Sequence, residues 1–187
     1  GITASVMADT FLVNEDDWGG LRLDANADDL NSRYEAYLAI TKDTAQLIVE
    51  GFYNPKDNRR ARRGRDEDKA GYYNIDLDVN GFPLSIAEYW LEGTILNTVG
   101  HFDSRIDIYG FPGKPHIGGT LSVWDGATTI DFLQTRYYFD TAKVYARDFL
   151  FDATGVTVKD KYGNRATVAG GITHNYLKDL GIDARIN

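Results

Sequence analysis

The feature that most limits the folds open to this chain is a series of short alternating runs separated by turn residues. In the clearest run, residues 72–79, Ile75, Leu77 and Val79 share one face of an extended chain while polar residues share the other. Similar runs recur at about 8–12-residue spacing. Parallel sheets need long helical crossovers, and no segment here is suited to one. The sequence therefore predicts a mainly β fold, an antiparallel β-barrel or β-sandwich of about nine or ten strands with one or two short helices.

The first hairpin is predicted at residues 33–52, where two runs are separated by Lys42-Asp43. A helix remains an alternative, because Asp28 is placed as a cap and helical spacing is matched by Leu30, Tyr34, Tyr37 and Leu38. The strand is favoured, because the helical match is short. Further strands are predicted at 104–110, 119–124, 128–139, 143–151, 155–160 and 165–170, with turns at 110–119, 125–126, 152–155 and 161–164.

Two short helices are predicted. In residues 84–93, Ser85 and Glu88 have the spacing of a capping box and Gly93 is placed to end the helix, although a strand remains an alternative there. In residues 173–181, a threonine precedes a helical stripe of apolar residues and a glycine follows it.

Length and composition indicate one β-rich domain, residues 1–187. The chain has no cysteine, so disulfides, cysteine-based zinc sites and thiol nucleophiles are excluded. No run of 18 apolar residues occurs, and therefore we expect no transmembrane helix. The acidic, tyrosine- and glycine-rich composition favours an extracellular or cell-surface location. No cofactor motif occurs, and none is predicted.

A basic loop is predicted as an insertion at residues 54–70, in a chain whose formal net charge is -8. Five of the seven residues Arg59–Arg65 are arginine, and Asp66, Glu67 and Asp68 follow directly. The favoured interpretation is a solvated hairpin loop. The alternative is a patch that binds an anionic partner.

His101 and Asp103 form the only candidate catalytic pair. Two residues apart on an extended chain, they lie on the same face, where the carboxylate can orient the imidazole for acid–base chemistry. Two residues at this spacing carry little specificity, so an ordinary histidine near the start of a strand is the favoured interpretation. Whether the chain is an enzyme is left open.

A calcium loop is the alternative interpretation of residues 76–81. Asp76, Asp78 and Asn80 match the first ligands of such a loop, but its twelfth position is Ala87 instead of glutamate. Asn80-Gly81 also suits the two positive-φ positions of a type I′ hairpin turn, which needs no metal. The hairpin turn is therefore favoured, and no metal is predicted.

Aromatic residues supply the candidate ligand contacts. Adjacent tyrosines put one ring on each face of a strand, and Trp124 lies on the opposite face from its apolar neighbours. Exposed rings stack on sugars and on apolar ligands, although most aromatic residues of a β protein fill its core. The predicted contact residues are Trp124, Trp90, Tyr72, Tyr137 and Arg105.

Three functions follow from these patterns. The first is a secreted or surface protein that binds a carbohydrate or a small apolar ligand through aromatic residues. The second is a barrel isomerase or cyclase that uses the His101–Asp103 pair. The third is a structural subunit of a fibre or tail, a homo-oligomer in which residues 2–13 are donated to the sheet edge of a neighbour.

Overall fold

The computed structural model describes residues 1–27, 33–55 and 71–187, without the side chains of Trp90 and Ile186. The chain is mainly β, with antiparallel strands and only short helical turns, as predicted. The described part contains fourteen strands, more than the nine or ten expected. No described helix is long and apolar enough to cross a membrane. Two compact units are present, Gly1–Val79 with Arg105–Gly118 and Asn80–Ser104 with Gly119–Asn187.

The first unit is a sheet in which the strand order is β1-β4-β5-β6, followed by the adjoining parts of β7, β8 and β9. A small hairpin, β2–β3, forms a separate two-stranded sheet. The strands are β1 (Ile2–Ala8), β2 (Leu12–Val13), β3 (Asp16–Asp17), β4 (Gly20–Ala27), β5 (Tyr34–Lys42), β6 (Ala45–Asn54), β7 (Tyr72–Pro83), β8 (Ile95–Phe111) and β9 (Lys114–Ile130).

The first predicted hairpin is confirmed as β5–β6. Lys42 pairs with Ala45, which leaves a two-residue turn in which Asp43 has a φ of 53°. The helical alternative is wrong from Tyr34 onwards, because nine cross-strand pairs hold this segment in the sheet. Residues 28–32, which include the proposed cap, lie outside the described part.

Asn80-Gly81 is not a hairpin turn, because β7 continues through it. Within the strand, Gly81 has a φ of 62°, which glycine adopts without strain, and its backbone N–H donates to Oδ1 of Asp103 on β8 at 2.8 Å. The same local sequence suits a hairpin turn or a continuous strand, and the pairing of β7 with β8 decides between them.

The second unit continues along the rest of β7, β8 and β9 into five further strands. These are β10 (Thr135–Arg147), β11 (Leu150–Asp152), β12 (Thr157–Lys159), β13 (Arg165–Asn175) and β14 (Lys178–Ile186). A 3-10 turn at Asp131–Leu133 divides the predicted strand 128–139 in two. Asp125-Gly126, predicted as a turn, lies inside β9.

Strands β11 and β12 are two halves of one interrupted strand. Both pair with β10 and with β13. On β10, Tyr138 and Tyr145 are seven residues apart, and so are their partners Lys159 and Asp152. Against β13 the interrupted strand carries one extra residue. The predicted turn at 152–155 is confirmed between the two halves, where the Val156 N–H donates to the Ala153 carbonyl at 3.1 Å and Gly155 has a φ of 90°.

Of the two predicted helices, one is present in the structure and the other is not. A short helix near residue 84 is confirmed as a 3-10 turn, Leu84–Ile86, leading into α1 (Ala87–Trp90). Its capping box does not form, because the Glu88 carboxylate accepts the backbone N–H of Thr98 instead. The helix predicted at 173–181 is wrong. That segment is the β13–β14 hairpin, and Tyr176 and Leu177 both have positive φ in its turn.

Candidate functional site: two faces of the first unit

The four strands β1, β4, β5 and β6 have one wholly uncharged face. Cross-strand pairing fixes its membership, since paired residues point to the same side of a sheet. The face consists of Ile2, Ala4, Val6 and Ala8 on β1, Leu21, Leu23, Ala25 and Ala27 on β4, Tyr34, Ala36, Leu38 and Ile40 on β5, and Leu47, Val49, Gly51 and Tyr53 on β6. We call this set the apolar face.

The apolar face is buried at one pair of residues on β5 and β6 and becomes more exposed towards β1. Ile40 and Leu47, which pair across β5 and β6, are 4% and 6% exposed. On β4 the exposure of Leu23 is 36%, and on the edge strand Val6 and Ile2 reach 52% and 66%. Contiguous exposed apolar residues of this kind are a surface at which many proteins bind a ligand or a partner.

The opposite side of the same strands carries a groove of about 460 Å³, which we call the polar groove. Charged and aromatic side chains from strands far apart in sequence meet there. The charged groups are the carboxylates of Asp24, Glu35, Glu50 and Asp76 and the guanidinium of Arg33, and the rings are those of Tyr37 and Phe52.

Several of these side chains are held in place by neighbours. Asp24 accepts hydrogen bonds from Ser5 Oγ at 2.7 Å and Arg22 Nε at 2.6 Å, and these partners lower its carboxyl pKa, Ser5 most. The Arg33 guanidinium lies 3.8 Å from the centre of the Phe52 ring, and its Nε is 2.9 Å from Glu35. The polar groove is therefore an ordered surface with excess negative charge.

Asp76 connects the polar groove to a second carboxyl group. Its oxygens accept hydrogen bonds from Asn74 Nδ2 at 3.1 Å. The neighbouring Asp107 has a raised pKa, first through burial and then through its hydrogen bond with Asp76 and the repulsion between the two charges. No group of three or more potential ligands able to hold a metal ion occurs within the described ranges. Asp76 and Asp78 have separate partners, Asp107 and Arg105.

The structure gives His101 and Asp103 different partners. The His101 ring stacks on Trp124, with centroids 6.1 Å apart and planes at 21°. Asp103 Oδ1 accepts the backbone N–H of Gly81 at 2.8 Å. Over the part of the chain that the structure describes, no hydrogen bond joins the two residues. Asp103 thus holds the backbone of β7 at Gly81, which is a structural role that the spacing of the pair does not indicate.

The predicted ligand contacts have the following environments. Tyr72 contacts Phe52 and Phe111, with ring centroids 6.3 and 5.7 Å away. Arg105 is exposed and lies 3.3 Å from Asp78. Tyr137 is half-buried and pairs with Thr128. The side chain of Trp90 and the whole of Arg59–Arg65 lie outside the described part of the chain.

Comparison of the chain with family models, with curated proteins and with solved structures finds no match. The candidate sites therefore depend on geometry alone. Sequence reasoning missed the polar groove, because its residues come from five strands between Thr3 and Asp76. The available signal was the alternation of Arg22, Asp24 and Asn26 with apolar residues along β4.

Proposed function

We propose that the first unit binds an apolar ligand of the alkyl-chain type on its apolar face. The observation that carries the proposal is the exposure of Ile2, Val6 and Leu23 on a face without a charged residue. Aliphatic side chains dominate this face, and tyrosines occur only at the Tyr34–Tyr53 end. Aliphatic contacts thus replace most of the aromatic contacts expected from composition.

The chemistry of the apolar face selects the ligand. Aliphatic side chains offer no hydrogen bonds, so affinity comes from the burial of apolar surface, at roughly 0.8 kcal/mol for each methylene group. Association also costs at least about 4 kcal/mol in lost freedom of motion. A short apolar group is therefore too small to bind, whereas a long alkyl chain is sufficient. A secreted or surface location remains part of the proposal.

Val6→Asn is expected to weaken binding of a fluorescent twelve-carbon fatty acid by about 5–30-fold, which corresponds to 1–2 kcal/mol. The amide would be placed on the apolar face, where the ligand cannot satisfy it. Met7→Asn is the matched control, because Met7 is the next residue on the same strand, is exposed, and points to the other face. Equal affinities for the two variants in a fluorescence titration would contradict the proposal.

The polar groove supports a second candidate, binding of a neutral carbohydrate. Vicinal hydroxyl groups suit the carboxylates of Asp24, Glu50 and Asp76, and the Tyr37 ring lies among them. Saturation-transfer NMR with neutral oligosaccharides is expected to show contacts that Glu50→Gln weakens and Val6→Asn preserves. Signals of equal strength in both variants would place any sugar elsewhere.

A further inference from the structure

Strand β1 lies at the edge of the sheet in the first unit. It pairs with β4 through seven consecutive residue pairs without a bulge, and with no other described strand. No described strand pairs with the backbone N–H and C=O groups of its second edge. Such an edge is a template for a further strand unless the sequence protects it.

The protection that edge strands normally carry is missing from β1. Residues 2–8, ITASVMA, contain no charge and no proline, and their register with β4 is regular. The other edge strand, β14, carries Lys178, Asp179, Asp183 and Arg185, and its pairing with β13 is interrupted by an irregularity. One chain thus contains a protected edge and an unprotected one.

We propose that the free edge of β1 pairs antiparallel with β1 of a second copy of this chain. When two copies of one strand pair antiparallel about a two-fold axis, the numbers of any two residues that face each other add up to the same even number. Even-numbered residues therefore face even-numbered residues of the other copy. With Ser5 on the axis, for example, Ile2 faces Ala8 of the second copy and Ala4 faces Val6. The apolar faces of the two copies then form one continuous surface, with no charge buried at the contact.

In this dimer β1 stays in its own sheet, where it pairs with β4, and adds the second copy at its free edge. This differs from the predicted subunit in which residues 2–13 leave their own chain and join the sheet of a neighbour. A contact of one seven-residue strand buries less than the 1,200 Å² typical of stable complexes. We accordingly expect a weak, concentration-dependent dimer. The inference is independent of ligand binding, since the pairing uses backbone groups at the edge and not the apolar face itself.

Sedimentation velocity of the full chain over a concentration series tests the dimer. The unaltered chain is expected to change from monomer to dimer, whereas Met7→Glu should stay monomeric, because a charged side chain on an edge strand disfavours pairing with a further strand. Within the monomer, the new carboxylate would face Arg22, the cross-strand partner of Met7, so folding should be preserved. Leu180→Glu, on the exposed side of β14, is the control and should dimerise normally. A monomer at every concentration, or the same loss in both variants, would overturn the proposal.

The absence of cysteine from the chain allows a second, independent test. Single cysteines placed in turn at residues 2–8 should form a disulfide-linked dimer most readily at the residue on the two-fold axis. A single cysteine at Leu180 should form none. If no position on β1 forms a disulfide more readily than Leu180, β1 does not pair with its copy. Fatty-acid binding should be unchanged in Met7→Glu, because residue 7 points away from the apolar face. Measuring both dimerisation and binding in this variant therefore tests the two proposals separately.

Discussion

Gly51→Ala is expected to lower the free energy of unfolding by about 2–4 kcal/mol. A Cβ at Gly51 would lie 2.4 Å from the backbone oxygen of Asn74 and 3.2 Å from Cγ1 of Ile75. The first atom is backbone, so it can move away only if β6 and β7 separate locally. The φ of Gly51 is not in the left-handed region, and the entire cost therefore arises from this close approach.

Gly118→Ala is the control for Gly51→Ala. Gly118 also lies in a strand of the first unit with an ordinary φ, and a Cβ added there would meet no atom within 4 Å beyond its own chain neighbours. Its effect on unfolding by denaturant should be within about 0.5 kcal/mol. Similar losses in the two variants would show that the close approach of β6 and β7 is not what requires glycine at residue 51.

Asp103→Ala should destabilise the protein by about 1–3 kcal/mol, measured by denaturant unfolding. The carboxylate accepts the Gly81 N–H, and its removal leaves that part-buried donor without its acceptor. Asp103→Asn should lose less, because the amide oxygen can still accept the bond.

Asp78→Ala is the matched control for Asp103→Ala. Its carboxylate lies on the neighbouring stretch of β7 and forms an exposed ion pair with Arg105, which contributes little to stability. A role for Asp103 solely in acid–base chemistry with His101 would make Asp103→Ala as stable as Asp78→Ala. A clear difference between them would support the structural role.

The class of fold could be predicted because alternation is a local property. Ile75, Leu77 and Val79 have the strand period whatever surrounds them, and the 33–52 hairpin follows from two such runs and a short turn. Local patterns failed where one motif suits two structures. Asn80-Gly81 fits a turn as well as a continuous strand, and residues 173–181 fit a helix as well as a tight hairpin. In both places the pairing of a neighbouring strand decides, and that partner is distant in sequence.

The sequence by itself determined that a strand such as residues 72–79 has an apolar and a polar side, because the alternation of residues on one strand needs no partner. Only the tertiary structure decided what such sides do. On the apolar face, Ile2 and Val6 of the edge strand β1 are exposed, whereas Ile40 and Leu47 of β5 and β6 are buried. Asp24, Glu50 and Asp76 likewise form one groove only because their strands lie close together. Exposure and clustering depend on neighbours, and strand order is a property of the folded chain.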